Sequence, residues 1–145
     1  MNSRTLLLVE DNAQDEALML RSLRRTHLAN PIDVVRDGQQ AVDYLLQQGE
    51  FAHLAGKPNP TVVLLDIGLP KLSGLEVLEA IRSHERTKRV PVVILTSSDE
   101  DRDRLRSYEG GANSFVRKPL DFGEFAQTVA SLGIYWLATN MPPED

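Results

Sequence analysis

The hydrophobic pattern of the chain consists of short, uninterrupted apolar runs separated by segments with helical spacing. Three runs are built only from Leu, Val and Ile: Leu6–Val9, Val62–Leu65 and Val92–Leu95. They do not alternate with polar residues, which is typical of strands buried on both faces in a parallel sheet covered by helices. Two weaker runs, Ile32–Val35 and Ser114–Val116, predict two further strands.

The segments between these runs carry apolar residues at the spacing of amphipathic helices. The predicted helices, in chain order, are 12–25, 38–48, 74–83, 99–109 and a last one that begins after Asp121. In the last helix one apolar stripe is predicted, made of Phe125, Val129, Leu132 and Trp136. The fourth helix is highly charged and has Leu105 and Tyr108 as its main apolar contacts, so we expect it to be held weakly.

The order of these elements is strand then helix, repeated five times. This order predicts one α/β domain with a doubly wound, five-stranded parallel sheet and helices on both faces. The domain is expected to span residues 1–138, followed by a short tail at 139–145 and no output domain. A long connector at 49–60 precedes the third strand.

Composition and charge narrow the function classes. The chain has 145 residues, of which 41% are apolar and 26% charged, as in an ordinary globular domain. A net charge of −5 argues against binding a nucleic-acid backbone, and the absence of cysteine excludes disulfides and thiolate chemistry. No apolar run approaches the roughly 20 residues of a membrane span, and the N-terminus does not resemble a secretory signal. We therefore expect a cytoplasmic protein without a nucleic-acid or membrane partner.

Charged and polar residues follow four of the predicted strands at their carboxyl ends. Glu10 and Asp11 follow the first strand, Asp66 the third, Thr96 the fourth and Lys118 the fifth. Taken singly, each of these residues can be explained without a function, as a helix cap, a turn residue, a strand-end residue or a surface lysine. Ligands of open parallel sheets bind outside the carboxyl ends of the strands. The four positions together therefore favour a functional site.

This set of residue types suits phosphoryl chemistry assisted by a metal ion. Converging carboxylates repel one another unless a cation joins them, and Mg²⁺ takes oxygen ligands of this kind. A carboxylate such as Asp66 can attack phosphorus and form an acyl phosphate. The ammonium of Lys118 and the hydroxyl of Thr96 can then stabilise the phosphoryl oxygens.

The motifs LLLVEDN, VVLLDIGLPKLSG, VVILTSS and FVRKP, in this order, resemble the CheY-like receiver domain of bacterial two-component response regulators. The resemblance covers about residues 5–135 and implies the flavodoxin-like (βα)5 fold. It also implies a phosphorelay role, in which Asp66 accepts a phosphoryl group from the phosphohistidine of a histidine kinase. The chain would then switch conformation and signal to a protein partner. It would be no enzyme, apart from promoting its own phosphorylation and slow dephosphorylation.

The resemblance assigns a role to each residue of the site. Asp11 and Asp66 match direct Mg²⁺ ligands, the backbone carbonyl of Gly68 matches the remaining protein ligand, and Glu10 matches an acid that reaches the ion through water.

The resemblance further implies that Thr96 and Lys118 bind the phosphoryl oxygens. Phe115 matches the aromatic switch position of the family. The Lys118–Pro119 bond resembles one that is typically cis.

Two further segments suggest a narrower group. The connector GEFAHLAGKPNP and the ending SLGIYWLATNMPPED resemble small stand-alone receivers that accompany bacterial phytochrome-type histidine kinases. In this ending, Ile134, Tyr135 and Leu137 cannot all face the sheet, which makes them candidates for a homodimer interface. The alternative is that the tail folds back over them.

Three other classes of protein fit the sequence less well than a receiver does. A phosphatase of the haloacid-dehalogenase type needs a second Asp two residues after the nucleophile, where this chain has Gly68. A flavodoxin-like cofactor binder needs a phosphate-cradling loop after the first strand, where Glu10 and Asp11 would repel a phosphate. An inactive pseudo-receiver usually lacks one of the acids or the lysine, and this chain keeps them all.

Overall fold

A computed structural model describes residues 4–98 and 100–143 and contains one five-stranded parallel sheet. The strands are β1 (Leu6–Val9), β2 (Ile32–Val35), β3 (Val62–Leu65), β4 (Val92–Thr96) and β5 (Ser114–Arg117). Their spatial order is β2-β1-β3-β4-β5, which is that of a doubly wound sheet. All five predicted strands are confirmed, and β4 and β5 each extend one residue further than expected.

Within the described residues, five α-helices connect and flank the strands. They are α1 (Ala13–Arg24), α2 (Gly38–Leu46), α3 (Gly74–Ser83), α4 (Asp101–Glu109) and α5 (Phe122–Ile134). A short 3₁₀ helix, Gly49–Leu54, lies in the connector before β3. Asp99, the predicted first residue of the fourth helix, lies outside the described residues. Within the described part of the chain, no helix has the length and apolar character that crossing a membrane requires.

The core has two layers, one on each face of the sheet. Alternate strand residues point to opposite faces, so each strand contributes to both layers. On one face α1 and α5 pack over the strands, through Met19, Leu23, Phe125 and Val129. On the other face α2 and α3 do so, through Ala41, Leu45, Val77, Leu78 and Ile81. The helix α4 lies beside α3 and packs against β5.

Strand register brings the residues after the strands to a common edge. Val9, the last residue of β1, is paired with Val35 of β2 and Leu65 of β3. At the other side of the sheet, Thr96 at the end of β4 is paired with Arg117 at the end of β5. This register places the polar residues that follow the strands on one edge.

The chain continues from α5 into a π-helical turn, Tyr135–Thr139, in which the amide of Asn140 donates to the carbonyl of Tyr135. A π-helical turn closes hydrogen bonds over five residues instead of four, which shifts the angular position of the side chains. As a result Trp136 and Leu137 are both buried in the core, with 8% and 5% of their surface exposed. The expectation that Leu137 is a candidate interface residue is therefore wrong. Ile134 and Tyr135 remain 46% and 49% exposed.

The anchoring of α4 also differs from expectation. Leu105 and Tyr108 are 61% and 51% exposed, so they are not the apolar contacts that hold this helix. They lie three residues apart and share a face of the helix that points away from the core. The inward face carries the buried Ser107, whose hydroxyl donates to the carbonyl of Asp103 at 2.8 Å.

Candidate functional site

Three carboxylates converge at the carboxyl edge of the sheet. Glu10 and Asp11 follow β1, Asp66 follows β3, and one oxygen from each lies within 4.8 Å of the others. Glu10 and Asp66 are buried, with 1% and 9% of their surface exposed, whereas Asp11 is exposed. The cluster is therefore buried on the side of Glu10 and Asp66 and open to solvent on the side of Asp11.

Lys118 reaches this cluster from the end of β5 and is only 8% exposed. Its Nζ donates to Glu10 Oε1 at 2.7 Å, to Asp15 Oδ2 at 2.9 Å and to Asp66 Oδ2 at 3.0 Å. Because an ammonium group has three donors, these bonds use all of them. The ordinary expectation of a solvated surface lysine does not hold for Lys118.

Burial and charge act on the two most buried ionisable groups of the site. Burial raises the pKa of Glu10, although the hydrogen bond and charge of Lys118 act against this shift. For Lys118, burial alone would lower the pKa, but its hydrogen bonds with Glu10 and Asp15 and the charge of Asp66 outweigh it and raise the pKa. Lys118 is therefore a permanently charged cation at neutral pH. One such cation does not balance four nearby carboxylates.

The Lys118–Pro119 peptide bond is trans, so the cis bond suggested by the resemblance is not present in this structure. For a bond before proline the trans form is favoured by about 0.5–1 kcal/mol. The trans bond already lets the amide of Lys118 donate to the carbonyl of Thr96 at 2.7 Å while its ammonium reaches the carboxylates.

The loop that carries Asp66 is packed tightly under the start of α3. The amide of Gly68 donates to Asp66 Oδ1 at 3.2 Å, and the amide of Gly74 donates to the carbonyl of Ile67 at 2.8 Å. A side chain at Gly74 would collide with the backbone carbonyl of Asp66. Gly74 is thus needed to place Asp66, a role that the sequence analysis did not assign to it. The only signal available was a glycine directly after the Ser73 cap.

Thr96 lies at the end of β4, is 2% exposed and connects the site to α4. Its Oγ1 accepts from the amide of Ser98 at 3.3 Å, and Ser98 Oγ donates to Asp103 Oδ2 in α4 at 2.6 Å. Phe115 on β5 is half-buried and packs against the core layer under α2 and α3. The structure thus joins Thr96 to α4 through Ser98, and it places Phe115 on the neighbouring strand.

Asp15 is a member of the site that the sequence analysis treated only as a favourable acid in the first turn of α1. Its backbone amide is held by Asn12 Oδ1 at 2.9 Å, and its carboxylate meets Lys118. The only available signal was its nearness in sequence to Glu10 and Asp11, in the first turn of α1.

The donor set of the cluster fits a hard divalent cation. Mg²⁺ and related ions prefer carboxylate, carbonyl and water oxygens, and they are often held by one or two carboxylates. Glu10, Asp11 and Asp66 would hold such an ion, since their oxygens already approach one another. The excess negative charge of the pocket supplies the driving force.

This fold and this arrangement of acids, lysine and threonine define a receiver of two-component signalling. Residues 6–130 match the family model of the response regulator receiver domain. The chain belongs to this family, and it is a signalling protein with a phosphorelay role. The fold predicted from the resemblance is confirmed, and the phosphatase alternative is not favoured.

Two curated relatives cover nearly the whole chain. The probable methanogenesis regulatory protein FilR2 of Methanothrix harundinacea is 42% identical over 95% of this chain and 86% of its own length. The response regulator Rcp1 of Synechocystis sp. is 35% identical over 97% of this chain and 93% of its own.

Solved structures of similar proteins include regulators that are paired with phytochromes. The phosphorylated cyanobacterial phytochrome response regulator RcpA has 36% identity and a TM-score of 0.90, with 97% of this chain and 99% of the other covered. The Mn²⁺-bound form of Rcp1 has the same coverage and TM-score at 35% identity. The bacteriophytochrome response regulator RtBRR has 47% identity and a TM-score of 0.76, with 99% and 86% covered.

Proposed function

We propose that this protein is phosphorylated on Asp66 by the phosphohistidine of a histidine kinase, with Mg²⁺ as the cofactor. The observation that carries this proposal is the buried Asp66 carboxylate, which lies among Glu10, Asp11 and Lys118 at the carboxyl edge of the sheet. The Mn²⁺-bound form of the relative Rcp1 supports a divalent cation. The phosphorylated form of RcpA supports the modification itself.

The transfer forms one bond and breaks another. A carboxylate oxygen of Asp66 forms a bond to phosphorus, the phosphorus–nitrogen bond to the kinase histidine breaks, and its electron pair returns to the imidazole. Lys118, freed from Asp66 Oδ2, donates to a phosphoryl oxygen, and the hydroxyl of Thr96 donates to another. Bound Mg²⁺ supplies neutralisation of the negative charge that collects in the pocket.

Intact mass spectrometry after incubation with acetyl phosphate and Mg²⁺ tests this proposal. The wild type should gain one phosphoryl group, and Asp66→Asn, which keeps the shape but lacks the nucleophilic carboxylate, should gain none. Asp33→Asn is the matched control, because Asp33 is an exposed acid on β2 that bonds to Tyr44 instead of Lys118. Equal yields from wild type and Asp66→Asn would refute the assignment.

The kinase partner that we propose is of the bacterial phytochrome type. The relatives RcpA, a cyanobacterial phytochrome response regulator, and RtBRR, a bacteriophytochrome response regulator, support it, whereas the relative FilR2 is a probable methanogenesis regulatory protein. Phosphotransfer from a purified phytochrome-type kinase should be faster than from an unrelated histidine kinase at equal concentration. Equal transfer rates from both kinases would remove the phytochrome assignment and leave the phosphorelay role intact.

The proposed function also covers the division of the chain and the way in which it signals. Residues 1–138 act as the receiver and 139–145 as a tail, and the phosphorylated form signals to a protein partner in the cytoplasm. The change of conformation involves Thr96, Phe115 and α4. The chain promotes only its own phosphorylation and the slow loss of the phosphoryl group.

We also propose a homodimer that uses the outward face at the end of α5. Ile134 and Tyr135 are about half exposed there because the π-helical turn directs the next two residues inward. Light scattering at micromolar concentration should give a dimer mass, and Ile134→Lys should reduce it to that of a monomer. Leu120→Lys is the control, since Leu120 is 93% exposed at a different site. A monomer in the wild type would refute this part.

A further inference from the structure

Lys118 is bound by three carboxylates that come from three different elements. Glu10 follows β1, Asp66 follows β3, and Asp15 belongs to the first turn of α1. The Asp15 contact of 2.9 Å is intermediate in length between the other two, and its side chain is only 24% exposed. This contact joins residues 103 positions apart, so it is a feature of the folded site and not of local helix structure.

Asp15 differs from the other two partners in its relation to the cation site. Glu10 and Asp66 belong to the carboxylate group whose oxygens converge within 4.8 Å, together with Asp11, and Asp15 does not. A divalent cation held by that group would take up the charge that now attracts Lys118, and it would also repel the ammonium. Asp15 would keep its full charge for Lys118.

We propose that Asp15 is a positioning residue that keeps the Lys118 ammonium in the pocket when a divalent cation occupies the neighbouring carboxylates. This inference rests on the proposed phosphorylation of Asp66. Asp15 holds one donor of Lys118 throughout, so that the donor released by Asp66 is left free and correctly placed for a phosphoryl oxygen. The role of Asp15 is electrostatic and acts through Lys118, since Asp15 is not one of the three carboxylates that converge as the cation group.

The backbone around Asp15 supports a fixed position. The amide of Asp15 donates a hydrogen bond to Asn12 Oδ1 at 2.9 Å, and this bond caps α1. The carboxylate therefore starts from an ordered first turn. Partial burial makes such an ion pair stronger than an exposed one, because water screens it less.

Glu16 provides a matched control in the same turn of the same helix. Its carboxylate accepts two hydrogen bonds from Arg36, both at 2.9 Å. Glu16→Gln therefore removes one negative charge near the start of α1 without removing a partner of Lys118. Any effect of Asp15→Asn that arises only from the helix dipole should also appear in Glu16→Gln.

The direct test is NMR spectroscopy of the Lys118 ammonium group in the unphosphorylated protein with saturating Mg²⁺. The other lysines, Lys57, Lys71 and Lys88, are exposed, so a slowly exchanging ammonium signal can be assigned to Lys118. Asp15→Asn should speed its hydrogen exchange with water at least about tenfold, the factor expected for losing a charged hydrogen bond. Glu16→Gln should leave the exchange unchanged, and Asp15→Glu should restore most of the protection.

Phosphorylation by acetyl phosphate gives the second readout. Asp15→Asn should lower the maximal rate at saturating Mg²⁺ by about tenfold while the half-saturating Mg²⁺ concentration stays near that of the wild type. Wild-type exchange and wild-type rate in Asp15→Asn would overturn the proposal. An effect on Mg²⁺ affinity alone would overturn it as well.

The two proposals fail in different ways. If the wild type takes no phosphoryl group on Asp66, the proposed function is wrong, whatever Asp15 does. If the wild type is phosphorylated and Lys118 is equally protected with and without the Asp15 charge, only the positioning role is wrong.

Discussion

The helices α3 and α4 are neighbours on the same side of the sheet but are held in different ways. α3 begins with a capping box, in which Ser73 and Glu76 bond reciprocally to each other's backbone amides. It buries Val77, Leu78 and Ile81 almost completely in the core. Each of these features is a local or packing contact that involves no side chain of the functional site.

Among the residues that the structure describes, α4 shows neither kind of support. Its first flanking residue, Glu100, makes no capping bond through its side chain, and Leu105 and Tyr108 are exposed. Polar contacts hold its two ends. At the start, Asp103 accepts from Ser98, whose amide in turn bonds to Thr96.

The far end of α4 is anchored by Arg82 of α3. The carbonyl of Gly111, just after α4, accepts from Arg82 Nη2 at 2.7 Å and from Nε at 3.0 Å. The same guanidinium donates to the carbonyl of Val90 at 2.7 Å. α4 is therefore fixed at its far end and tied to the functional site at its start, so a change at Thr96 can move its first turn while α3 stays in place.

Removing Asp11, one of the proposed cation ligands, should have the largest effect, because without the cation Asp66 would not be phosphorylated and neither helix could respond. In Asp11→Ala we expect loss of Mg²⁺ binding by calorimetry and loss of Mg²⁺-dependent phosphorylation, with the fold intact and the apo protein stabilised by reduced repulsion among the acids. Glu16→Gln should bind Mg²⁺ as the wild type does. Equal Mg²⁺ affinity in Asp11→Ala and wild type would contradict the assigned ligand.

Core truncation tests the unequal packing of the two helices. Leu78→Ala in α3 should lower the free energy of unfolding by about 2–5 kcal/mol, since Leu78 is fully buried. Leu105→Ala in α4 should change it by no more than about 0.5 kcal/mol, since Leu105 is exposed. Urea unfolding measures both, and similar losses for the two variants would show that α4 is packed as firmly as α3.

The anchor at the end of α4 can be tested by Arg82→Gln. This change removes the donors to Gly111 and Val90 and should lower the free energy of unfolding by about 1–3 kcal/mol. Hydrogen exchange should increase from residue 106 to residue 113 more than in α3. Lys88→Gln is the control, because the Lys88 side chain pairs only with the exposed Glu85 among the contacts of the described residues. Uniform destabilisation without local loosening would count against the anchor.

The smallest effect is expected for Ser98→Ala, which removes the link between Thr96 and the start of α4. The free energy of unfolding should fall by only about 0.5–1.5 kcal/mol, the contribution of one hydrogen bond. The first turn of α4 should exchange amide hydrogens faster, measured by mass spectrometry of its peptides. Ser83→Ala, which removes an exposed hydroxyl bonded within α3, is the control. Unchanged hydrogen exchange in α4 would mean that the Ser98 link does not couple Thr96 to this helix.

Much of this molecule follows from its sequence for clear physical reasons. Uninterrupted runs such as Leu6–Val9 are buried on both faces, so their pattern leaves little choice of structure. The edge of the sheet then gathers Glu10, Asp66 and Lys118 because all parallel strands end on the same side. Each of the four motifs contains the end of one strand, so their order along the chain is enough to identify the family.

The features that sequence analysis missed depend on contacts between distant residues or on an irregular helix. The pair of Asp15 and Lys118 spans 103 positions and has no local signature beyond helix spacing. The burial of Leu137 results from a π-helical turn, which a pattern of constant helical period does not contain. Leu105 was expected to contact the core because it is apolar. In the structure it is exposed, and polar contacts hold the two ends of α4.

Hydrogen exchange with and without beryllofluoride, in the presence of Mg²⁺, measures whether the phosphoryl site controls the first turn of α4. Beryllofluoride mimics a phosphoryl group on Asp66, and Asp66→Asn provides the baseline. We expect a change of exchange in α4, strongest in its first turn, and around Phe115, with α3 unchanged. A response confined to the loops of Asp11 and Asp66, or an equal response in α3 and α4, would contradict it.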